Sequence, residues 1–247
     1  MPPFRSPCCR NEQKIVMDTT FPGFPKETLR FLRALRRNNN RDWFLAHKDV
    51  YETSVRAPMV ELVTALGGAI LNFAPEMVVD PRRNIYRIHR DIRFSQDKSP
   101  YKTHVAALFW PRGLAKNACA ALYFHLEPAE VLVAGGIYMP GSAEIRAIRG
   151  HIAENWEQMR AIVSAAQFRR LFGRLEGEQL SRPPRGFPPE HPAMDLLRRK
   201  QFLVAITDPP ALAESPKLFP RIITAFAAMM PLIRFLNAPL EKLVKIR

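Results

Sequence analysis

Between Asn84 and Tyr138 the apolar residues stop recurring every three or four positions, and this change of period constrains the fold most. In Asn84 to Phe94, Ile88, Arg90, Ile92 and Phe94 share one side of an extended segment, and Arg87, His89, Asp91 and Arg93 share the other. The turn-rich run Ser95 to Pro100 leads to a second strand, expected from about Thr103 to Trp110. Ala118 to Leu126 and Val131 to Tyr138 flank a short Pro-Ala-Glu link, which is a hairpin signal. Gly135-Gly136 near its end marks a bulge or a close backbone approach. Strands joined by short links pair antiparallel.

Helical spacing lies on both sides of this segment. Pro25 can open a helix through Thr28, Leu29, Leu32 and Leu35, which Asn38-Asn39-Asn40 ends. A second is expected from Arg41 to Val55, and a third from Pro58 through Leu62, Leu66 and Ile70. After Pro140, Ile145, Ile148, Ile152, Trp156, Met159 and Val163 form one long apolar stripe. Residues 182–192 hold five prolines and exclude regular structure. A short helix near Met194 to Lys200, a strand at Phe202 to Thr207 and a helix from Ser215 to Leu236 follow. The expected fold is α+β: N-terminal helices, a central antiparallel sheet, and C-terminal helices packed on it.

A chain of 247 residues can bury a sizeable core without staples. No repeat and no long linker divides it, so residues 18–247 read as a single globular domain. Residues 1–17 carry three basic residues and three prolines but no apolar core of a secretory signal, and read as a disordered tail with Met17 a candidate start. No apolar run approaches the roughly 18–20 residues that span a bilayer, so membrane insertion is not expected. Three cysteines (Cys8, Cys9 and Cys119) give no disulfide framework, which points to a reducing compartment, the cytoplasm. Oligomeric state is not set by any of these features.

Lys and Arg number 37 against 23 Asp and Glu, a net charge of +14 that favours anionic partners. Residues 82–116 alone hold nine cations against Asp91 and Asp97. Arg90 falls on the apolar side of its segment, between Ile88 and Ile92, where an unpaired charge is costly. It must meet a carboxylate, backbone carbonyls or a bound anion. Ser95 to Lys102 adds hydroxyls, lysines and loop N–H groups, a physical recipe for holding phosphate or carboxylate. The expected ligand site comprises Arg90, Arg93, Ser95, Asp97, Lys98, Tyr101 and Lys102, with Asp91 and Asp97 orienting the cations. Arg182 and Arg185 would close over it as a lid.

Three readings follow from these residues. One is a phosphate-bearing small ligand at the strand–loop site. The second is a nucleic-acid-binding module using the whole basic face, since Tyr86, Phe94, Tyr101, Phe109, Trp110 and Tyr123 accompany the cations. Against stacking, Phe94, Phe109 and Trp110 also read as core. The third is a structural or partner-binding protein in which the ion pairs only hold the sheet. Should the protein be an enzyme, His89 and Asp91 are the acid/base candidates. No Gly-x-Ser-x-Gly elbow, phosphate loop or dinucleotide glycine pattern is present, so no cofactor is specified. His89, His104 and His125 lack metal-ligand spacing, and no metal site is expected.

The chain resembles a widespread, mainly bacterial family of uncharacterised proteins, domain of unknown function 2461. The residues that carry the resemblance are Phe21 to Phe24, Thr28 to Leu32, Asn38 to Phe44, and above all Arg87 to Lys102. Gly135-Gly136, Arg182 to Phe187 and His191-Pro192 also fit, so the likeness spans roughly residues 20–235. At His47 the chain departs from the Asn expected before the lysine of the second helix. The resemblance implies one undivided domain and makes the Arg90–Lys102 stretch the family signature. It brings no activity with it.

Overall fold

The computed structural model describes residues 20–246; the tail with Cys8, Cys9 and Met17 lies outside them. The first helix, α1 (Lys26–Arg37), buries Leu29, Phe31, Leu32 and Leu35 on one face. The Asn40 side chain caps α2 (Arg41–Ala46) by accepting from the Trp43 N–H. The expected second helix is interrupted: α2 gives way at His47 to α3 (Lys48–Tyr51), a π-helical stretch (Glu52–Arg56) and then α4 (Ala57–Phe73). The hydroxyl of the fully buried Thr28 donates to the Ser54 carbonyl within that stretch. Phe31, Phe44 and Tyr51 pack around this junction, with centroids 5.3–6.4 Å apart.

After the short α5 (Pro81–Asn84) come three consecutive strands, β1 (Val105–Phe109), β2 (Ala121–Leu126) and β3 (Val131–Ile137). Helices α6 (Ser142–Glu154), α7 (Trp156–Ser164), α8 (Ala166–Phe172) and α9 (Met194–Leu197) intervene before β4 (Phe202–Asp208). The stripe after Pro140 is thus broken at Asn155. A 3-10 turn (Pro210–Glu214) leads into α10 (Leu218–Ile246). The four strands form an antiparallel sheet in the order β1-β2-β3-β4. The fold is α+β, with helices before and after a central antiparallel sheet.

Two expectations need correction. Residues 84–94 do not form a strand of this sheet; they run beside β1 as an extended strap, joined by the isolated bridges Ile85–Ala107 and His89–Tyr101. Pairing at Ile85 to His89 accounts for the alternation there, and it ends before Ile92, which is half-buried. Ile88 is buried as that pattern requires, but Phe94 is 95% exposed rather than core. Phe109 and Trp110 are buried. The other edge has a matching strap, since Glu176 and Leu203 bond each other through both backbone N–H groups at 2.7 and 3.3 Å.

One face of the sheet is covered by α10. Phe226 meets Phe109 edge-on at 5.7 Å, and Met229 lies against Gly135. The helix runs past the expected end at Leu236 and contains Pro231 and Pro239. A proline inside a helix costs about 3 kcal/mol, but here Leu232, Ile233, Leu236 and Leu240 are all buried and offset it. Inside α10, Asn237 accepts from the Ala120 N–H and donates to the Ala120 carbonyl, both at 2.9 Å, fixing the helix to the start of β2. Residues 48–73 and 218–244 are long and apolar enough to cross a bilayer, with mean hydropathy 1.3 and 1.4. Interspersed polar residues divide each into apolar runs shorter than a bilayer's width. Their apolar faces line the protein core.

The opposite face of the sheet borders an open cavity. In register, Leu108, Tyr123, Ala134 and Ala205 form one row across it, and Ala121, Gly136 and Leu203 another. Gly136 is required where it stands. Its φ is +126°, and a Cβ there would lie 1.9 Å from the Phe202 carbonyl oxygen.

Candidate functional site

The extended strap turns back through residues 95–100 and returns to β1, and this loop is built around Arg90. Its guanidinium pairs with the Asp97 carboxylate, donates to the Ser99 carbonyl at 3.2 Å, and reaches the Ser95 hydroxyl at 3.4 Å. Arg90 therefore finds carboxylate and carbonyl partners within its own loop. Hydrogen bonds from Ser99, followed by the Arg90 pairing, hold the Asp97 carboxyl far below the usual carboxylate range. Arg93 grips Asp91 through two bonds of 3.0 and 2.7 Å, which lowers the Asp91 carboxyl to about 2. Lys98 donates to the Ile92 carbonyl at 3.1 Å. Tyr101 is buried, its ring stacked on Phe44 at 4.1 Å, and Asn39 bonds its backbone on both sides.

Beside this loop lies a cavity of about 400 Å³, open to solvent. Arg36 from α1, with Arg90, Lys102, Thr103 and His104, presents cations and donors to it; Asp97 contributes the carboxylate. Of the expected site residues, Arg90, Asp97, Tyr101 and Lys102 line this cavity together. Arg93, Ser95 and Lys98 do not line it. Arg182 and Arg185 are exposed and line neither this cavity nor the larger one described next. His89 and Asp91, the acid/base candidates, also line neither.

A second cavity of about 880 Å³ covers the open face of the sheet. Its floor is Leu108, Leu132, Ala134, Leu203 and Ala205, and its walls include Tyr86, Tyr123, Lys116 and Glu176. Lys102 and His104 line both cavities. Sequence reading missed this site, because its floor residues are the unremarkable alternate positions of core strands. The signal that could have found it is small-residue alternation: Ala134, Gly136 and Ala205 all fall on one face.

Three polar groups sit over that floor. The His104 and His125 rings are 5.4 Å apart, and the Tyr123 hydroxyl is 3.1 Å from His125 Nδ1. His125 Nε2 is buried and makes no hydrogen bond among the described residues; the Glu130 carboxylate lies 3.5 Å away, beyond good bonding length. Burial, with help from His125 and Lys102, depresses His104 to about 4, so it is neutral at pH 7. Burial lowers His125 as well and raises the Tyr123 hydroxyl. No cluster of three metal-ligating side chains occurs among the described residues.

Residues 27–235 match the family described as conserved hypothetical protein (DUF2461). No curated protein matches the chain significantly.

Proposed function

The chain belongs to the family of conserved hypothetical proteins DUF2461, and from that premise we propose that it binds an anionic, phosphate-bearing small molecule in the Arg36–Arg90–Lys102 cavity. The observation that carries this reading is the charge on the lining: three cations against the single carboxylate of Asp97. Arg90 is held in place by its loop, and Lys102 meets no carboxylate among the described residues. A phosphate entering here exchanges water for charge-assisted bonds from side chains already positioned. A cytoplasmic location is proposed on cysteine usage alone.

Calorimetric titration with inorganic phosphate and with phenyl phosphate tests this. Arg36→Ala and Lys102→Ala should each weaken binding about tenfold, the loss of roughly 1.4 kcal/mol. Unchanged affinity in both variants overturns the proposal.

One observation favours a second reading, a nucleic-acid surface. Phe94 is 95% exposed with the Arg93 guanidinium 5.8 Å above its ring, and Arg87 and Lys98 are exposed nearby in sequence. Bases stack on such a platform at about 1–3 kcal/mol each. A labelled oligonucleotide titrated at several salt concentrations decides it. A steep fall of affinity with salt, lost further in Phe94→Ser, supports this surface, and no binding at low salt removes it.

A further inference from the structure

The open sheet face combines two features that point to one class of occupant. Its floor is mostly apolar and is hollow on the β3–β4 side of Tyr123, where the small Ala134, Gly136 and Ala205 lie together beside Leu132 and Leu203. At the β1 edge two lysines converge on one aromatic ring: Lys102 Nζ lies 5.4 Å and Lys116 Nζ 4.6 Å from the centre of Tyr86. Each ammonium gives one proton to a backbone carbonyl, Lys102 to Arg87 at 2.7 Å and Lys116 to Arg83 at 2.6 Å. An ammonium has three donors, so each keeps two for a ligand. Neither pairs with a carboxylate among the described residues. Burial first, and then neighbouring cations, hold both below the ordinary lysine range. Like charges held together beside an apolar surface are relieved by an anion placed between them. At the far, β4 side the cavity is bordered by Glu176, which repels a negative group.

We infer that this face binds an amphipathic organic anion, its apolar body on the Leu108–Leu132–Ala134–Ala205 floor and its carboxylate or phosphate between Lys102 and Lys116. The charge pattern fixes the orientation, with the head at the β1 edge and the tail pointing toward β4. Such sites bury most of a ligand against apolar side chains and orient it with a few polar ones. The groove extends beyond the phosphate cavity and shares Lys102 and His104 with it, so the decisive variants avoid both residues.

The test uses the full chain and the fluorescent probe 1-anilinonaphthalene-8-sulfonate, displaced by decanoate, octyl phosphate or 1-decanol below their micellar concentrations. Decanoate or octyl phosphate should displace the probe at least tenfold more effectively than decanol. Comparing the two tells a carboxylate from a phosphate head. Ala134→Trp fills the floor and should abolish probe binding. Lys116→Met should weaken both anions about tenfold and leave decanol unchanged. Near-ultraviolet circular dichroism of each variant separates a blocked groove from a misfolded chain, and Lys116→Met, a change at the rim, keeps the test decisive if Ala134→Trp misfolds. Arg36→Ala should leave probe binding intact, so failure of the phosphate cavity is distinguishable from failure of the groove. Equal displacement by decanol and decanoate, or unchanged probe binding in folded Lys116→Met and Ala134→Trp, overturns the inference. Displacement by a short oligonucleotide but not by decanoate also overturns it.

Discussion

Asn39 and Tyr101, 62 positions apart, are joined by two hydrogen bonds: the Asn39 amide donates to the Tyr101 carbonyl at 2.9 Å and accepts from its N–H at 3.0 Å. The side chain thus copies a strand partner for Tyr101, and ties the α1–α2 turn to the loop that carries Arg90. Replacing Asn39 with Ala leaves both backbone groups half-buried and unpaired, which should cost about 1–3 kcal/mol. Urea unfolding measures it; Asn39→Asp, which keeps the acceptor only, should fall between.

Gly136→Ala should be among the most damaging changes in the chain. The new methyl collides with the Phe202 carbonyl and the φ of +126° disfavours any side chain. A loss of several kcal/mol, enough to remove folded protein from the soluble fraction, is expected. Gly113→Ala has a positive φ but open space around it, and should cost about 1 kcal/mol by the same measurement.

Acid should weaken the fold in two stages. His104 is depressed to about 4 in the folded chain against 6.5 in the reference state, so protonation favours unfolding. Stability should therefore fall as pH drops from about 6.5 to about 4. Asp91 and Asp97, held low by their partners, withdraw stability only below the ordinary carboxylate range. His125 and His151 are lowered by burial as well, so thermal melts at stepped pH should show the upper stage reduced, not abolished, in His104→Gln and the lower stage unchanged.

Cys119 is free and buried, and burial lifts its thiol to about 12. A disulfide reagent should label it at pH 8 no faster than the chain opens. Labelling at the rate of an exposed thiol would contradict its burial.

The α+β layout was legible because β1, β2, β3 and β4 are short apolar runs bounded by turn residues, while the helices keep the three-to-four-residue spacing. Alternation misread residues 84–94. A strap and a strand need the same buried alternate residues, and only pairing distinguishes them. Phe94 shows the limit, because hydrophobicity alone places it inside while the turn at Ser95 turns it outward. Arg90 was legible as a charge needing partners, and Asp97 and Ser99 lay close enough in sequence to be found. Arg36 was not, because it lies on α1, far from the basic loop in the chain; Lys116 was legible only as one cation of the 82–116 segment, and the fold alone assigns it to a cavity. The Asn pins at Asn39 and Asn237 also escaped notice, since a polar residue gives no sign of which distant carbonyl it will meet.

Both outer strands of the sheet are shielded, β1 by the strap at Ile85 to His89 and β4 by the segment at Glu176. The β4 shield is continuous with the proline-rich residues 182–192, whose arginines are exposed. A protease that cuts there opens the connection between β4 and its shield, which then stays joined to α8 on one side only and is held at the edge by its backbone bonds to residues 198–203. Once it detaches, β4 presents a bare row of N–H and C=O groups, which recruits the same strand of another molecule. Nicked protein should accordingly form aggregates rich in intermolecular sheet, and preparations should be protected from trypsin-like activity from the start.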